Sequence, residues 1–505
     1  QETIPGPTRG PSLMTKKTAP ASPQLEDIKF EKDPRACRIV CTLGPSSSNS
    51  EMIESLIEAG MNVARLNFSH GTQETHERLI REIRAASEKT GRPVAIMQDL
   101  QGHKVRLGRA SSATPIILEQ GAEIILSHGE EISTERLGMD YVGAERFVEP
   151  GHRIFLDDAK IELEVISCHD EEILCKVRRG APVYSRKGVI FPDSELEFPV
   201  LDENDLEDAR FGVNMGLDMV AMSFVRSADE ITKMRKHLAG WGKKEAFIVA
   251  KVEDGAGLHN LEEILKAANA VLIARGDLGV TLPREKVPGI QKSIISQANA
   301  LGVPSITATQ MLESMIDHPQ PTRAEVNDVY SAVLDGSHAI MLSAETAMGD
   351  YPEESVAEMD RIAREAELEL NRRNRGVHTP VTGKEGINDL LAASAVIFAE
   401  HMSADCILAF SLEGTTHRAL STASPTVPVY GVLVNHSNLR RLLLHRGLNL
   451  TTMPLENKPE SLVPRAMKKL RDDGIVGSAD KVIIVSRQPE PEADESFLLR
   501  LSILS

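Results

Sequence analysis

Residues 247–279 read FIVAKVEDGAGLHNLEEILKAANAVLIARGDLG. A short apolar run, Phe247–Val252, ends in the charged turn Lys251-Val252-Glu253-Asp254. A stretch with helical spacing follows. A second apolar run, Ala270–Ile273, then leads into the glycine-bearing turn Ala274-Arg275-Gly276-Asp277-Leu278-Gly279. The unit is strand, turn, helix. Outward from here it recurs between Arg38 and Leu370, with apolar runs at Ile39–Thr42, Asn62–Leu66, Val94–Asp99, Met219–Ser223, Pro304–Thr307 and His338–Leu342. Ser50 reads as the cap of a helix ending near Gly60, and Leu79, Ile80, Ile83 and Ala86 form one face of the next. Eight such units predict an α/β fold of the (β/α)8 TIM-barrel kind rather than an open sheet.

One interval breaks the rhythm. About a hundred residues separate the third run from the fourth, and only Glu203–Met215 in that interval has helical spacing. The rest carries short β-like runs: Ile116–Leu118, Glu123–Leu126, Arg153–Leu156, Ile161–Val165 and Ile173–Val177. They predict a small β-barrel domain over 102–198, inserted at the barrel's active face, where a lid is useful. The barrel then comprises 37–101 and 199–370. Beyond it, Asp389–Met402 and Leu439–His445 read as helices and Cys406–Ser411 and Lys481–Ser486 as strands, predicting a C-terminal α/β domain over 371–505, to which the resemblance given below assigns a regulatory part. Residues 1–36 lack apolar periodicity and read as a flexible arm; its acids, Glu2 to Asp33, fit poorly with a transit peptide.

With 505 residues, 41% apolar and 26% charged, the chain has the composition of a globular protein of about three domains. No apolar run is long enough to span a membrane. The net charge of −17 disfavours nucleic acid and anionic lipid as partners. Five cysteines without a CxxC pair or zinc-ligand spacing read as reduced thiols of a cytoplasmic protein.

In a barrel of this type, chemistry sits at the C-terminal ends of the strands. Those ends carry Thr42; Arg65, Asn67, Ser69 and His70; Asp99; Ser223; Lys251 and Glu253; Arg275, Gly276 and Asp277; Thr309; and Ser343 with Glu345. Each alone is explicable as a helix cap; eight polar ends together point to a site. Glu253 and Asp277 end adjacent strands, with no His or Cys nearby in sequence. They suit a hard cation such as Mg²⁺, and a salt bridge to Lys251 or Arg275 is the equal alternative. Lys251, two residues before Glu253, would share its face, and a lysine beside a metal site suits a transferring phosphoryl group. The turn Ala274–Gly279 offers backbone N–H groups to an anion. Walker, Rossmann, HExxH and GxSxG motifs are absent.

The stretches Met61–Gly71 (MNVARLNFSHG), Lys251–Asp254, Ala274–Gly279, Ala308–Met315 (ATQMLESM) and Pro321–Glu325 (PTRAE) together resemble the pyruvate kinase family, closely over 37–370 and loosely beyond. The resemblance implies a barrel with a lid and a C-terminal α/β domain, assembled as a homotetramer. It also implies transfer of the phosphoryl group of phosphoenolpyruvate to ADP, giving pyruvate and ATP. By motif, Glu253 and Asp277 would hold Mg²⁺ (or Mn²⁺), Lys251 would stabilise the phosphoryl group with Arg65 assisting, and Gly276, Asp277 and Thr309 would hold the substrate carboxylate. Thr309 and Ser343, with a water, would form a relay for protonating the enolate. Asn67, His70, Arg106 and Lys187 match nucleotide-side positions, and Lys187 and Asp157-Asp158 lie in the lid.

The departures carry expectations too. Many members have Gly-Pro-Glu after the third strand; here it is Gly102-His103-Lys104. The family commonly uses K⁺ at groups matching Asn67, Ser69, Asp99 and the backbone of Leu100. Lys104 resembles the K⁺-independent branch, where a tethered ammonium replaces the ion, so K⁺ is expected to be dispensable. The effector turn matches Ser411-Leu412-Glu413-Gly414-Thr415-Thr416, with Ser411, Gly414, Thr415 and Thr416 as candidate anion contacts and Glu413 opposing them. The loop Gln488–Glu495 carries four carboxylates, which argues against fructose 1,6-bisphosphate closing there. A different effector, or none, is expected. Thr75 stands where Tyr is frequent, and Ala344 where the motif has Gly. Rival readings are another barrel enzyme acting on phosphoenolpyruvate or pyruvate, and a catalytically silent metabolite-binding paralogue. Loss of Lys251, Glu253, Asp277 or Thr309 would mark the paralogue, and all four are present.

Overall fold

A computed structural model describes residues 28–110, 114–157, 159–194, 196–198, 201–374, 386–454, 462–490 and 493–504. Eight parallel strands close a barrel: Arg38–Thr42, Val63–Asn67, Ala95–Asp99, Met219–Met222, Phe247–Val252, Ala270–Ala274, Ser305–Ala308 and Ala339–Leu342. They are numbered one to eight below. Each pairs in parallel with the next, and strand eight returns to strand one through Arg38 opposite Ala339. All eight apolar runs in the sequence became these strands, shifted by at most a residue or two at an end.

Alternation along each strand decides what enters the barrel. Val40, Val63, Met97, Val249, Leu272, Ile306 and Met341 fill its interior. Their neighbours Ile39, Cys41, Ala64, Ile96, Ile340 and Leu342 face the surrounding helices. Continuing the same period, Arg65, Asp99, Lys251 and Ser343 leave their strands on the inward side, so burial of the apolar set aims the polar ends at the barrel mouth. Helices start where caps permit: Asn49 rather than Ser50 caps the first, accepting from the Met52 amide. Thr322 and Glu325 form a reciprocal capping box on the helix Arg323–Leu334.

Between strands three and four lies the β insertion, with its own core of Leu107, Leu126, Leu137, Ile154 and Leu163 among others. Its sheet curls on itself. Val105–Arg106 pairs with Gly188–Ile190 at one edge, while Arg109–Ala110 pairs with Glu131–Ile132 at the other.

The C-terminal domain has a five-stranded sheet, Leu448–Thr452, Val429–Leu433, Cys406–Phe410, Lys481–Glu490 and Ala493–Ile503 in that order, of which only the last is antiparallel. Sequence patterning missed Val429–Leu433 and Leu448–Thr452, and read as one helix what is an α-turn, His436–Arg441, followed by a 3₁₀ turn, Leu442–Leu444. The reading of a flexible arm over 1–36 needs correction for 28–36. Ile28 and Phe30 are buried against this sheet, Phe30 lying edge-on to Tyr430, whose hydroxyl donates to the Glu31 carbonyl. The remainder of that arm, 1–27, lies outside the described residues. No helix among the described residues is long and apolar enough to cross a membrane.

Candidate active site

At the barrel mouth the strand ends meet in one charged cluster. Asp99 lies at its centre, almost wholly buried. Arg65 donates from Nε to Asp99 Oδ2 at 2.6 Å and from Nη1 to Thr42 Oγ1 at 2.9 Å. Lys251 Nζ lies 3.1 Å from Asp99 Oδ1 and 3.1 Å from Glu253 Oε1, and donates to Ser223 Oγ at 2.7 Å. The salt bridge that the sequence allowed as an alternative for Glu253 is therefore present. It leaves Asp277 out, whose near cation is Lys104 at 3.6 Å.

The electrostatics follow from burial and company. Burial by itself would lower the Lys251 ammonium, but Asp99 and Glu253 outweigh it and hold it well above the ordinary lysine range. Burial would raise Asp99, but Lys251 and Arg65 outweigh that and hold it low. Glu253 goes the other way: burial pushes its carboxyl up, Lys251 only partly opposes this, and the nearby Asp277 adds to it. Its Oε2 accepts from the Phe224 amide at 2.7 Å, a residue held at positive φ (+51°). Glu253 and Asp277 thus stand close enough for each other's charge to be felt, at a mouth where Lys251 and Lys104 also lie.

A second group of contacts shapes the neighbouring strand ends. Thr309 and Gln310 both have positive φ, +67° and +54°, a costly conformation for residues with a Cβ. Arg275 braces them, donating to the carbonyls of Ala308, Thr309 and Gln310 while its other face is paired to Asp328 at 2.6 Å. The Gly276 amide donates to Thr309 Oγ1 at 2.8 Å, and that hydroxyl donates to the Ala308 carbonyl at 2.6 Å. On strand eight, Glu345 folds back to accept from the amides of Ser343 and Leu312, fixing the turn that carries Ser343.

Lys104 hangs beside this mouth, 5.3 Å from the centre of the Phe224 ring as well as close to Asp277. It stands on the insertion's first connection, which turns sharply at Gly102 (φ +68°). A Cβ there would lie 2.6 Å from Ser223, and Asp205 takes the Gly102 amide. The groups matched in the sequence to a monovalent-cation region are engaged in local bonds. Asn67 Oδ1 accepts from the Ser69 amide, the Leu100 carbonyl accepts from Ser223 Oγ, and Asp99 is paired as above.

The candidates on the lid are not joined to this cluster. Lys187 pairs with Asp157 at 2.8 Å, and Lys160 takes the other oxygen of that carboxylate. Among the described residues, the Arg106 side chain donates to the Arg186 carbonyl alone. Asp158 lies outside the described residues. His70 is exposed, its carbonyl meeting the His76 ring. In the C-terminal domain, Ser411 Oγ accepts from the Gly414 amide at 3.0 Å and lies 3.4 Å from Thr415 Oγ1, while Thr416 is fully buried. Pro491 and Glu492 of the acidic loop lie outside the described residues. Strand-end reading found most of the mouth, but it missed Phe224, and it gave no bracing role to Arg275, Asp328 or Glu345. No spacing rule marks a residue for positive φ or for a brace to backbone carbonyls.

Comparison with known proteins is decisive at this point. The model of the pyruvate kinase barrel domain matches residues 34–356, and that of the pyruvate kinase alpha/beta domain matches 389–500. The chain belongs to the pyruvate kinase family. The pyruvate kinase of Geobacillus stearothermophilus is 37% identical over 93% of this chain and 81% of its own length. Those of Dictyostelium discoideum and Mycobacterium tuberculosis are each 37% identical over 92% of this chain, and over 93% and 98% of their own lengths. Pyruvate kinases are phosphotransferases, and this chain is one by family.

Proposed function

We propose that the barrel mouth transfers the phosphoryl group of phosphoenolpyruvate to ADP, giving pyruvate and ATP. The observation that carries this reading is Lys251, held 3.1 Å from both Asp99 and Glu253 and raised by them above the ordinary lysine range, beside the carboxyls of Glu253 and Asp277. Phosphoryl transfer asks for charge placed in advance rather than covalent chemistry, and this arrangement supplies it.

Glu253 and Asp277 fit a divalent cation, Mg²⁺ or Mn²⁺: two oxygen donors whose mutual repulsion a hard cation relieves, leaving other positions for water and substrate. Such an ion would neutralise charge on the phosphoryl oxygens. Lys251 faces the migrating group, its three partners fixing it without a rotamer search on binding. Arg65, anchored on Asp99 and Thr42, presents guanidinium edge to the same space. The amides of Gly276 and Asp277 receive the substrate carboxylate, for which Gly276 exchanges its bond to Thr309. Thr309, released from that bond, relays a proton through water toward the enolate carbon, with Ser343 at the end of the neighbouring strand. Asn67, His70, Arg106 and Lys187 form the nucleotide side. Lys187 and Arg106 reach it when the lid swings about Gly102, which also excludes water.

Three further features of the reading follow. Lys104 takes the place of K⁺, and its position against Asp277 supports this. A homotetramer is the assembly, supported by Ile387 and Leu390, exposed apolar side chains on one helix of the C-terminal domain. A cytoplasmic setting is supported by five cysteines, all free. The direct test is a Mg²⁺ titration of Glu253→Gln: a markedly weakened metal response is expected, and an unchanged titration would remove Glu253 from the metal site.

A further inference from the structure

A large cavity lies far from the barrel mouth. It holds about 740 Å³ and opens between the N-terminal ends of strands five to eight and the C-terminal domain. Asn269 and His338 come from the barrel floor, Arg418 and Thr422 from the helix Thr415–Ala423, and Arg446 from the turn before Leu448. Two observations set it apart from an ordinary domain cleft. Arg446 is 9% exposed, and among the described residues no hydrogen bond or ion pair holds its guanidinium. His338 Nδ1, Asn299 Oδ1 and Asn388 Oδ1 are fully buried with no partner among the described residues, and all three residues line the cavity. The guanidinium calls for an anionic head, and the orphaned Asn299 and Asn388 oxygens, which only accept, call for hydroxyl donors; one ligand carrying both answers each need. Burial, with Arg446 adding to it, keeps His338 neutral and so able to give one N–H and accept one bond.

The opposite wall has a different sign. Asp389 and Glu400, on the helix Ile387–His401, border the same cavity. A ligand with anionic groups at both ends would set one of them against these carboxylates.

We infer that this cavity binds a small organic anion charged at one end only, its phosphoryl or carboxylate head at Arg446 and Arg418 and its hydroxyl groups toward Asp389 and Glu400. Because the walls come from two domains, occupation ties them together. The site is separate from the turn Ser411–Thr416 and does not depend on the chemistry assigned to the barrel mouth.

Binding to the intact protein is measured directly, by equilibrium dialysis and by the thermal midpoint. The probes are inorganic phosphate, glycerol 3-phosphate and glycerate at matched ionic strength. Glycerol 3-phosphate and glycerate share hydroxyl groups and differ in the head, so they separate the two sources of the anion. At least one is expected to bind and raise the midpoint. Arg446→Gln is expected to weaken that binding about tenfold or more, the loss of a charge-assisted contact, and Arg446→Lys to restore part of it. Should Arg446→Gln fail to fold, Arg418→Gln, at an exposed position, serves the same comparison. Binding by none of the three probes, or binding unchanged in both variants (an adventitious ion only), would overturn the proposal.

Discussion

At the scale of single residues, the account rests on which charges are neutralised within the protein and which are not. Lys104 is a clear case, because its ammonium sits 3.6 Å from Asp277 and against the Phe224 ring rather than between Asn67, Ser69 and Asp99. On the proposed reading it supplies positive charge to the substrate side of the mouth in place of a monovalent ion. Lys104→Met is expected to leave an enzyme whose turnover falls in a bulky inert cation and is recovered by K⁺. Equal turnover of the variant in both salts would contradict that role. Lys104 was legible only as a departure from the family motif, whereas the other charged residues of the mouth were legible because strand ends are few and their polar residues stand out against apolar runs. Their pairings were not legible: nothing in the spacing says that Lys251 reaches Asp99 on strand three as well as Glu253 on its own strand.

Among the elements, the turn after strand seven matters most. Thr309 and Gln310 hold positive φ, and the guanidinium of Arg275 satisfies the carbonyls that this bend exposes. Asp328, on the helix Arg323–Leu334, fixes the guanidinium in turn. Arg275→Met is expected to cut kcat by about tenfold to a hundredfold through displacement of Thr309, with a smaller effect on Mg²⁺ binding. Asp328→Asn should give a milder version of the same split. A variant with wild-type kcat would show that the turn holds its shape unaided. The elements themselves were recognised unevenly. The barrel strands are continuous apolar runs and were all found. Val429–Leu433 contains Gly431, Leu448–Thr452 is half polar, and Ile28 and Phe30 are isolated apolar residues in a polar stretch. Each is buried only because tertiary partners cover it, which no local pattern records.

For the whole molecule, a buried carboxylate links the domains. Asp218, just before strand four, pairs with Arg84 of the helix Gln73–Thr90 and with Arg440 of the C-terminal domain, at 2.7 and 2.8 Å. Burial would raise its pKa, but the two arginines outweigh this and hold it below the ordinary value. The sign follows: the stabilisation is complete above the unfolded value near pH 4 and is lost as pH falls through the lower folded value. Asp218→Asn leaves two guanidiniums partly unpaired and is expected to cost about 3–5 kcal/mol at neutral pH. Urea unfolding should show that gap closing as the pH falls well below 4; a gap constant with pH would mean that the ion pair is not its source. The most direct test of the central claim is pyruvate and ATP formation from phosphoenolpyruvate and ADP with Mg²⁺, in the intact protein and in Lys251→Met. The account predicts equal amounts of the two products from the intact protein and a rate lower by about 10²-fold or more in the variant. Turnover in the variant matching that of the intact protein, or no products from either, would contradict it.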